Sequence, residues 1–290
     1  MTVGIAGLGL IGGSIGLALR KPGNRILGYD PSPAACATAI ERQCVDHSVT
    51  LQELAEAEAI FIASTPSSVI SVLEGLMPAC GPDIVVSDCA SVKGEIVAWT
   101  KARKETRFVP GHPMAGHEKS GAAFSSAWLF RHARWILTPL PFTDRPKLHK
   151  IEALVKEMGS QPMRMNAATH DRQVAILSHL PHAFAAVLVS MGEELESAEI
   201  AGGSWRDLTR VGGVDPELWT QIFMGNRAEL LRVLGDAEGR LAQLRGLVEA
   251  EDAEGVKAFM LQAAGAKAKH EPKPTRTPTG AKRTISRRRG

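Results

Sequence analysis

The sequence has few cysteines and no arrangement of them that points to a metal or a disulfide framework. Its 290 residues include four cysteines, with no C-x-x-C pair and no metal-ligand spacing: Cys36, Cys44, Cys80 and Cys89. We therefore expect reduced, mostly buried thiols and a cytoplasmic location. We expect no signal peptide, because the first predicted strand begins at about Val3. We find no apolar run close to the ~20 residues of a membrane-spanning helix, so no membrane partner is expected.

The carboxyl-terminal residues 265–290 have few apolar residues and no aromatic residues. From residue 267 onward they contain nine Lys or Arg and one acid, Glu271, which gives this segment a net charge of +8. Because the whole chain has a net charge of +3, the rest of the chain is at −5. The composition predicts a disordered basic tail. Without interleaved aromatic residues, a solvated tail is favoured over a nucleic-acid contact.

Apolar runs that alternate with helical patterns occupy the first 166 residues, which is typical of an α/β domain with a parallel sheet. The predicted strands are Val3–Ala6, Arg25–Tyr29, Ala59–Ala63, Ile84–Asp88, Phe108–Gly111, Trp135–Thr138 and Met163–Asn166. The predicted helices are Leu10–Leu19, Ser32–Arg42, Leu51–Glu56, Ser67–Met77, Lys93–Arg103 and Arg145–Met158. Ser32-Pro33 and Ser67 are suitable helix starts.

After Asn166 the strand pattern stops, and the remaining patterns are helical. The stretch 170–191 is rich in alanine and interrupted at Pro181, and Asp215-Pro216 is a strong helix start. An apolar stripe then continues for more than thirty residues, which requires a partner helix or a second subunit. A last helix is expected at 251–264. We therefore predict domains at 1–166 (nucleotide-binding), 167–264 (all-α, dimer-forming) and 265–290 (tail).

The stretch VGIAGLGLIGGSIG, residues 3–16, has the pattern G-x-G-x-x-G between a predicted strand and a predicted helix. In such turns the first glycine allows the tight turn, the second lets a diphosphate approach the backbone, and the third lets the helix pack closely. Asp30 ends the next strand, where a carboxylate accepts hydrogen bonds from ribose hydroxyls and repels a 2′-phosphate. The pattern predicts an NAD-binding, Rossmann-type domain whose expected cofactor contacts are Gly7, Gly9, Leu10, Ile11, Gly12 and Asp30.

Three polar segments follow later strands, at the edge where parallel sheets bind ligands. Ser64, Thr65 and Pro66 form the first, which is a cofactor contact or an ordinary turn. Ser91 and Lys93 belong to the second. Ser91 could orient a reacting group, begin a helix, or do both, and Lys93 could contact the cofactor or help to keep the site positive. His112 lies in the third, and its ordinary pKa near ~6.5 suits proton abstraction at neutral pH.

The helical region contributes candidate substrate contacts. His179 and His182 are three residues apart and share a predicted helix face. They lack a third ligand at metal-binding spacing, so no metal is expected. Arg210 stands in a glycine-bounded segment and is suited to a bidentate contact with a carboxylate, or alternatively to a surface ion pair with Asp207.

Five motifs together resemble the prephenate/arogenate dehydrogenases of tyrosine biosynthesis over about residues 2–264. They are GLGLIGGS (7–14), SDCASVK (87–93), GHPMAGHEKSG (111–121), SHLPHAFA (178–185) and RDLTRVGG (206–213). The resemblance implies a Rossmann-type domain followed by an all-α dimerisation domain. It implies NAD-dependent oxidative decarboxylation of prephenate to 4-hydroxyphenylpyruvate, or of arogenate to tyrosine.

The resemblance also implies roles for individual residues. His112 matches the histidine that accepts the proton of the substrate hydroxyl. Ser91 matches the serine that hydrogen-bonds to that hydroxyl and to the histidine. The other matches are a cofactor-side lysine (Lys93), the carboxylate-binding arginine (Arg210), pocket histidines (His179 and His182) and acids near the pocket mouth (Glu118 and Asp207). His117 departs from the threonine of many relatives, which affects the shape of the mouth.

The choice between prephenate and arogenate stays open, with prephenate favoured because no acid lies between Ser178 and Met191. An acid there would attract the ammonium group of arogenate. Two other hypotheses remain. One is a 3-hydroxyacid or imine-type reductase, which would use an acid/base group from the helical domain. The other is a non-catalytic NAD-binding sensor whose basic tail contacts nucleic acid.

Overall fold

A computed structural model describes residues 1–117, 119–194, 197 and 199–270. The helices of the α/β part are α1 (Leu10–Leu19), α2 (Pro33–Glu41), α3 (Val69–Leu76), α4 (Gly94–Arg103) and α5 (Arg145–Glu157). Its strands are β1 (Thr2–Ala6), β2 (Arg25–Tyr29), β3 (His47–Ser48), β4 (Ala59–Ile62), β5 (Val85–Asp88), β6 (Phe108–Val109), β7 (Gly111–Pro113), β8 (Arg134–Leu137) and β9 (Gln161–Arg164).

The main sheet confirms the predicted α/β architecture. Strands β1 to β6 pair in parallel in the order β3-β2-β1-β4-β5-β6. This order reverses direction between β1 and β4, which places their carboxyl ends beside the crevice where such sheets bind nucleotides. The short strand β3 was not expected, and the predicted helix at 51–56 is a single 3₁₀ turn, Glu53–Glu56.

A second, three-stranded sheet corrects the expectation that His112 follows a strand. The predicted strand Phe108–Gly111 is divided at Pro110, because proline has no N–H for a ladder hydrogen bond. Strand β7 then pairs antiparallel with β8, and β8 pairs parallel with β9. His112 is therefore the central residue of β7, opposite Ile136, and its backbone is fixed by the sheet.

Apolar layers cover both faces of the main sheet. Successive residues of β4 point to opposite faces, so that Phe61 packs in the layer formed with α1 and α5, and Ile60 in the layer formed with α3 and α4. Both side chains are fully buried. Burial on both faces explains why these strands are continuous apolar runs, and it holds their polar carboxyl ends in fixed positions.

The helical region contains α6 (Ala167–Val174), α7 (Leu180–Met191), α8 (Gly203–Thr209), α9 (Pro216–Gly225), α10 (Arg227–Glu249) and α11 (Ala253–His270). A π-helical turn, Ala175–His179, joins α6 to α7, so Pro181 lies in the first turn of α7, where its missing N–H is tolerated. The expected helix of more than thirty residues is wrong: it ends at Gly225, and Asn226 separates α9 from α10. Asp215 caps α9 as expected, accepting from the N–H groups of Glu217 and Leu218.

The helical segment Ala167–Met191 corrects the expectation about apolar length. Its 25 residues, with a mean hydropathy of 1.7 over the most apolar window, are long and apolar enough to cross a membrane by length and composition. The same segment carries His170, Asp171 and His179, which are buried. These three polar side chains belong to the site described below, although only 22% of the most apolar window is buried.

By their contacts, the described residues divide into Met1–Leu234 and a unit that begins at Gly235. All described residues of the candidate site belong to the first unit. Helix α11 continues to His270, six residues beyond the predicted end at Ala264. Residues 271–290, which contain most of the predicted tail, lie outside the described residues.

Candidate active site

The glycine turn joins β1 to α1, and its geometry explains each glycine. Gly7 has a φ of +97°, and a Cβ there would lie 2.6 Å from the backbone of Ala63. A Cβ on Gly12 would overlap the carbonyl oxygen of Gly7, whereas the space above Gly9 is open. The first N–H groups of α1 have no partner within the helix, so this open space is suited to a phosphate group.

Asp30 is held by the backbone on both sides of β2. Its Oδ2 accepts from the N–H of Leu8 at 2.8 Å, and its Oδ1 accepts from the N–H of Ser32 at 2.9 Å. It lines a cavity of about 630 Å³ together with Gly7, Gly9 and Pro31, which we name the Asp30 cavity. The carboxylate is thus fixed before any ligand binds, at the position where a ribose would lie beside the glycine turn.

A second cavity, the turn cavity, lies on the other side of Gly9. It is lined by Gly9, Leu10, Ile11, Ser64, Thr65, Pro66 and Ser91, among others. Ser64 also lines the Asp30 cavity, and its buried Oγ has no hydrogen-bond partner among the described residues. The open space at Gly9 and this unpaired hydroxyl fit a dinucleotide that extends through both cavities.

The side chain of Lys93 points to a buried carboxylate and not to the cavities beside the glycine turn. Its side chain is fully buried, and its Nζ pairs with the buried carboxylate of Asp88. Asp88 also accepts from the N–H of Gly111 at 3.0 Å and from that of Ala90 at 2.9 Å. Because no part of Lys93 is exposed, the expected cofactor contact is corrected: this lysine neutralises a carboxylate that fixes the start of β7.

His112 is buried and borders a third cavity, the His112 cavity, which Ser91, Ser178, His182 and Trp219 also line. Its Nδ1 lies 2.8 Å from Nε2 of His170. Burial lowers the pKa of His112 well below its ordinary value of 6.5, and electrostatic repulsion from His170 and Lys93 lowers this pKa further. The imidazole is therefore neutral near pH 7, as a base must be.

Ser91 lies at the junction of the turn cavity and the His112 cavity. It is half-buried and precedes α4, whose N-cap is Lys93 without a side-chain cap. The alternative interpretation of Ser91 as a helix cap therefore does not hold. Its hydroxyl has no hydrogen-bond partner within the described part of the chain, which leaves it available to a bound molecule.

His182 and Trp219 form the wall of the His112 cavity on the helical side. Their rings are stacked, with centroids 3.6 Å apart and an interplanar angle of 20°. His182 Nδ1 donates to the carbonyl of Ser178 at 2.8 Å, so Nε2 is the nitrogen left for other contacts. Burial lowers the pKa of His182, and the charge of Arg210 lowers it further, against the effect of the Ser178 carbonyl.

The structure separates His179 from His182, although the sequence predicted one shared face. His179 lies in the π-helical turn, is 1% exposed, and its Nδ1 is 3.2 Å from the Nδ2 of Asn226. Burial lowers the pKa of His179 to about 4. His179 therefore supports the site from behind, whereas the sequence predicted a direct substrate contact.

The remaining predicted site residues are less well defined. Asp207 is exposed in α8, and Arg210 is exposed at the end of that helix, close enough to His182 for its charge to act there. The described part of the chain shows no ion pair between Arg210 and Asp207. Glu118 lies outside the described residues. Within residues 1–117, 119–194, 197 and 199–270, no three His, Cys, Asp or Glu side chains are grouped to hold a metal ion.

Sequence reasoning missed four residues of the site: His170, Asp171, Trp219 and Asn226. Nothing in the sequence pairs His170 with His112, which is 58 residues away. Trp219 and Asn226 stood within an apolar helical pattern, where an aromatic residue reads as core. Only the interruption of that apolar pattern by Asn226 could have indicated a polar residue of the site.

The glycine turn, the fixed acid at the end of β2 and a neutral histidine beside an adjoining cavity define a class: dehydrogenases that act on a substrate held against a dinucleotide. Two family models match the chain. The nucleotide-binding domain of prephenate dehydrogenase matches residues 15–163, and the dimerization domain matches residues 166–262. The chain belongs to the prephenate dehydrogenase family.

Individual relatives agree with this assignment. Prephenate dehydrogenase of Bacillus subtilis is 33% identical over 265 residues, which cover 87% of this chain and 71% of that protein. Prephenate dehydrogenase from A. aeolicus, solved in complex with hydroxyphenyl propionate and NAD+, is 28% identical with a TM-score of 0.85, covering 93% of this chain and 98% of that one. Synechocystis arogenate dehydrogenase is 32% identical with a TM-score of 0.79, at 93% and 99% coverage.

Proposed function

We propose that this protein catalyses the NAD-dependent oxidative decarboxylation of prephenate to 4-hydroxyphenylpyruvate in tyrosine biosynthesis. Family membership supports the reaction class. One structural observation carries the proposal. The turn cavity and the His112 cavity share a wall formed by Ser91, Ala115, Gly116 and Trp219. A cofactor in the first and a substrate in the second would meet at Ser91, beside His112.

The residues of the glycine turn, together with Ser64, would bind the diphosphate, and Asp30 would bind the adenosine ribose. NAD held by these residues would supply the hydride acceptor for ring carbon C4 of the substrate. Asp30 favours NAD over NADP, because a 2′-phosphate would meet its carboxylate.

His112 would take the proton of the 4-hydroxyl group at Nε2 as the hydride leaves C4, while Ser91 hydrogen-bonds to the same oxygen. The carbon–carboxylate bond at C1 then breaks, CO₂ leaves, and its electron pair completes the aromatic ring. The phenolic oxygen takes the proton back from His112. Because aromatisation supplies the driving force, the chain mainly has to orient the substrate and hold one proton.

The substrate also carries a side-chain carboxylate, for which Arg210 is the proposed partner. A guanidinium binds a carboxylate in a bidentate manner. The effect of Arg210 on the pKa of His182 supports a position near the His112 cavity. His182 would contribute its Nε2 from the same wall.

The proposed preference for prephenate rests on the charges around the His112 cavity. Its described lining residues include imidazoles and hydroxyls and no carboxylate. Asp215 lines the adjoining turn cavity, but its Oδ1 already accepts from two backbone N–H groups of α9. Among the described residues of this wall an ammonium group would find no anion, whereas a keto group requires none. The arogenate dehydrogenase among the relatives makes arogenate the second candidate.

The test compares kcat/KM for prephenate and arogenate, each with NAD and with NADP. We expect the highest value for prephenate with NAD, and an arogenate preference would reverse the substrate assignment.

His112→Asn should lower kcat by at least about 10²-fold with little change in KM. Arg210→Ala should mainly raise KM. His149→Asn, which replaces an exposed histidine of α5, is the control.

We also propose a cytoplasmic homodimer formed through the helical domain. Large apolar side chains are exposed on its helices, and a second copy would cover them: Leu177, Val187, Met191, Leu208 and Met224. The match to a dimerization domain supports this assignment. A monomer mass by light scattering would contradict it.

A further inference from the structure

Behind His112 lies a buried chain of hydrogen bonds that ends at a carboxylate. His112 Nδ1 is 2.8 Å from His170 Nε2, and His170 Nδ1 is 2.7 Å from Asp171 Oδ1. His170 is 0% exposed, and Asp171 is 8% exposed. The same carboxylate oxygen accepts from the N–H of Lys93 at 3.0 Å, at the start of α4. The three side chains therefore form one continuous, buried path.

The carboxylate determines which ring nitrogens carry protons. Asp171 only accepts, so His170 Nδ1 must donate to it, and in neutral His170 the Nε2 is left as an acceptor. His112 Nδ1 must then donate to His170 Nε2. In neutral His112 this leaves the lone pair on Nε2, which has no hydrogen-bond partner among the described residues. This chain of hydrogen bonds thus fixes the tautomer of His112 that can act as a base.

The charged groups around His112 differ from those around His170. His112 faces the Lys93 ammonium, which is paired with Asp88, and the neutral imidazole of His179. His170 donates to the carboxylate of Asp171, which His112 reaches only through His170. Asp171 is held by the α4 N-terminus, and its carbonyl accepts from Asn226 Nδ2 at 2.8 Å. A positive charge is therefore more favourable on His170 than on His112.

We propose that Asp171 and His170 are positioning residues that orient His112 and store the proton it takes from the substrate. This inference rests on the proposed function, in which His112 is the base. As Nε2 of His112 gains the hydroxyl proton, its Nδ1 proton moves to Nε2 of His170, and the imidazolium is paired with Asp171. Both protons return when the phenolic oxygen of the product is reprotonated.

The balance of the reaction explains why this chain needs no exit to solvent. Prephenate, with two negative charges, and NAD⁺ give 4-hydroxyphenylpyruvate, with one, together with CO₂ and NADH. No proton is gained or lost overall. The proton of the 4-hydroxyl group leaves the substrate and returns to the product within one turnover. A buried acceptor without access to solvent is therefore sufficient.

Two substitutions test whether His170 stores the proton. His170→Gln keeps an amide oxygen that accepts from His112 Nδ1 but cannot take up a proton. Asp171→Asn removes the charge that stabilises the imidazolium. In both variants we expect kcat to fall at least about tenfold, with KM within about threefold of the wild type. We also expect the acidic limb of the kcat/KM profile to move to lower pH by about one unit, since the protonated chain loses stabilisation.

A purely structural role would lower activity without moving that limb. Val174→Ala is the matched control, because Val174 is buried in the same helix α6 and lies outside the chain of hydrogen bonds. It should leave the pH limb in place. If His170→Gln and Asp171→Asn both keep the wild-type kcat and limb, proton storage is excluded.

A second measurement does not depend on activity. In the full-length protein with ¹⁵N-labelled histidine, ring nitrogen shifts report which nitrogen carries the proton, and the spectra of His112→Gln and His170→Gln assign the signals. We expect both His112 and His170 to carry the proton on Nδ1. A proton on Nε2 of His112 would overturn the positioning role.

The outcomes also separate this inference from the proposed function. Turnover that survives in His112→Asn would remove the base itself, and with it the proposed function. Loss of turnover in His112→Asn, together with wild-type behaviour of the His170 and Asp171 variants, would overturn only the proton chain.

Discussion

The rings of His182 and Trp219 are stacked face to face, 3.6 Å apart, at the edge of the His112 cavity. His182 belongs to α7, whereas Trp219 belongs to α9, so the stack joins two helices across the site. Helix α9 is in turn attached to the segment after β4, because Ser67 Oγ donates to Gln221 Oε1 at 2.8 Å. The stack therefore links the position of the substrate wall to the loop that borders the proposed cofactor site.

Replacement of Trp219 by leucine should weaken substrate binding. Aromatic stacking contributes about 0.5–1.5 kcal/mol beyond burial, so we expect KM for prephenate to rise about 3- to 10-fold with a smaller change in kcat. Trp219→Phe should recover most of the loss. Trp128→Leu is the control, because Trp128 is exposed and packs on Arg131. Steady-state kinetics check this, and equal KM values for Trp219→Leu and the wild type would show that the stack does not hold the substrate.

Asp30→Asn should relax the choice of cofactor. The amide retains the shape and one acceptor for the Leu8 or Ser32 N–H but removes the charge that would repel a 2′-phosphate. We expect the ratio of kcat/KM for NAD to that for NADP to fall about tenfold or more, since hydrogen bonds to a charged group contribute about 1.5–3 kcal/mol. The exposed acid Glu41, changed to Gln, is the control. An unchanged ratio would remove Asp30 from cofactor selection.

Local signals were sufficient to predict the nucleotide-binding part. The glycine turn, the helix α1 and strand β2 with its terminal acid each follow from a pattern a few residues long, and their bounds were correct to within one or two residues. Ser32 and Asp215 were recognised as caps because their side chains satisfy nearby N–H groups. The family resemblance added the expected roles of residues that such patterns do not assign.

The polar interior of the site was not predictable, because it depends on contacts between distant parts of the chain. His112 meets His170, which is 58 residues further along the chain, because β7, which Pro110 separates from the main sheet, lies beside α6. Lys93 looked like a cofactor contact because a lysine near a nucleotide usually is one. Its actual partner, Asp88, is only five residues away, but its burial depends on the packing of α4 and α6.

The buried Lys93–Asp88 pair gives a stability prediction. Lys93→Met leaves the carboxylate of Asp88 without its counter-charge in the interior, and we expect the free energy of unfolding to fall by about 3–5 kcal/mol. The double variant Lys93→Met with Asp88→Asn should recover part of this loss, because no buried charge remains. Denaturant unfolding measures both.

A surface pair is the matched control. Lys150 Nζ lies 3.4 Å from Glu58 Oε2 at the protein surface, and Lys150→Met should change the free energy of unfolding by less than about 1 kcal/mol. If Lys93→Met instead leaves stability intact and raises only KM for NAD, the lysine contacts the cofactor after all.

His179 should make the protein sensitive to acid. Its pKa is about 4 in the folded protein, below the value of 6.5 that applies when the chain is unfolded. The unfolded state therefore binds more protons between these values, so stability is complete above about pH 6.5 and decreases as the pH falls toward 4. The loss from this one group is about 3 kcal/mol, and His112, whose pKa is also lowered, acts in the same direction.

Urea unfolding at a series of pH values measures this effect. The free energy of unfolding should vary less steeply with pH in His179→Gln than in the wild type, whereas His149→Gln, on the surface, should keep the wild-type slope. Parallel slopes for His179→Gln and the wild type would mean that this imidazole is not held neutral by the fold.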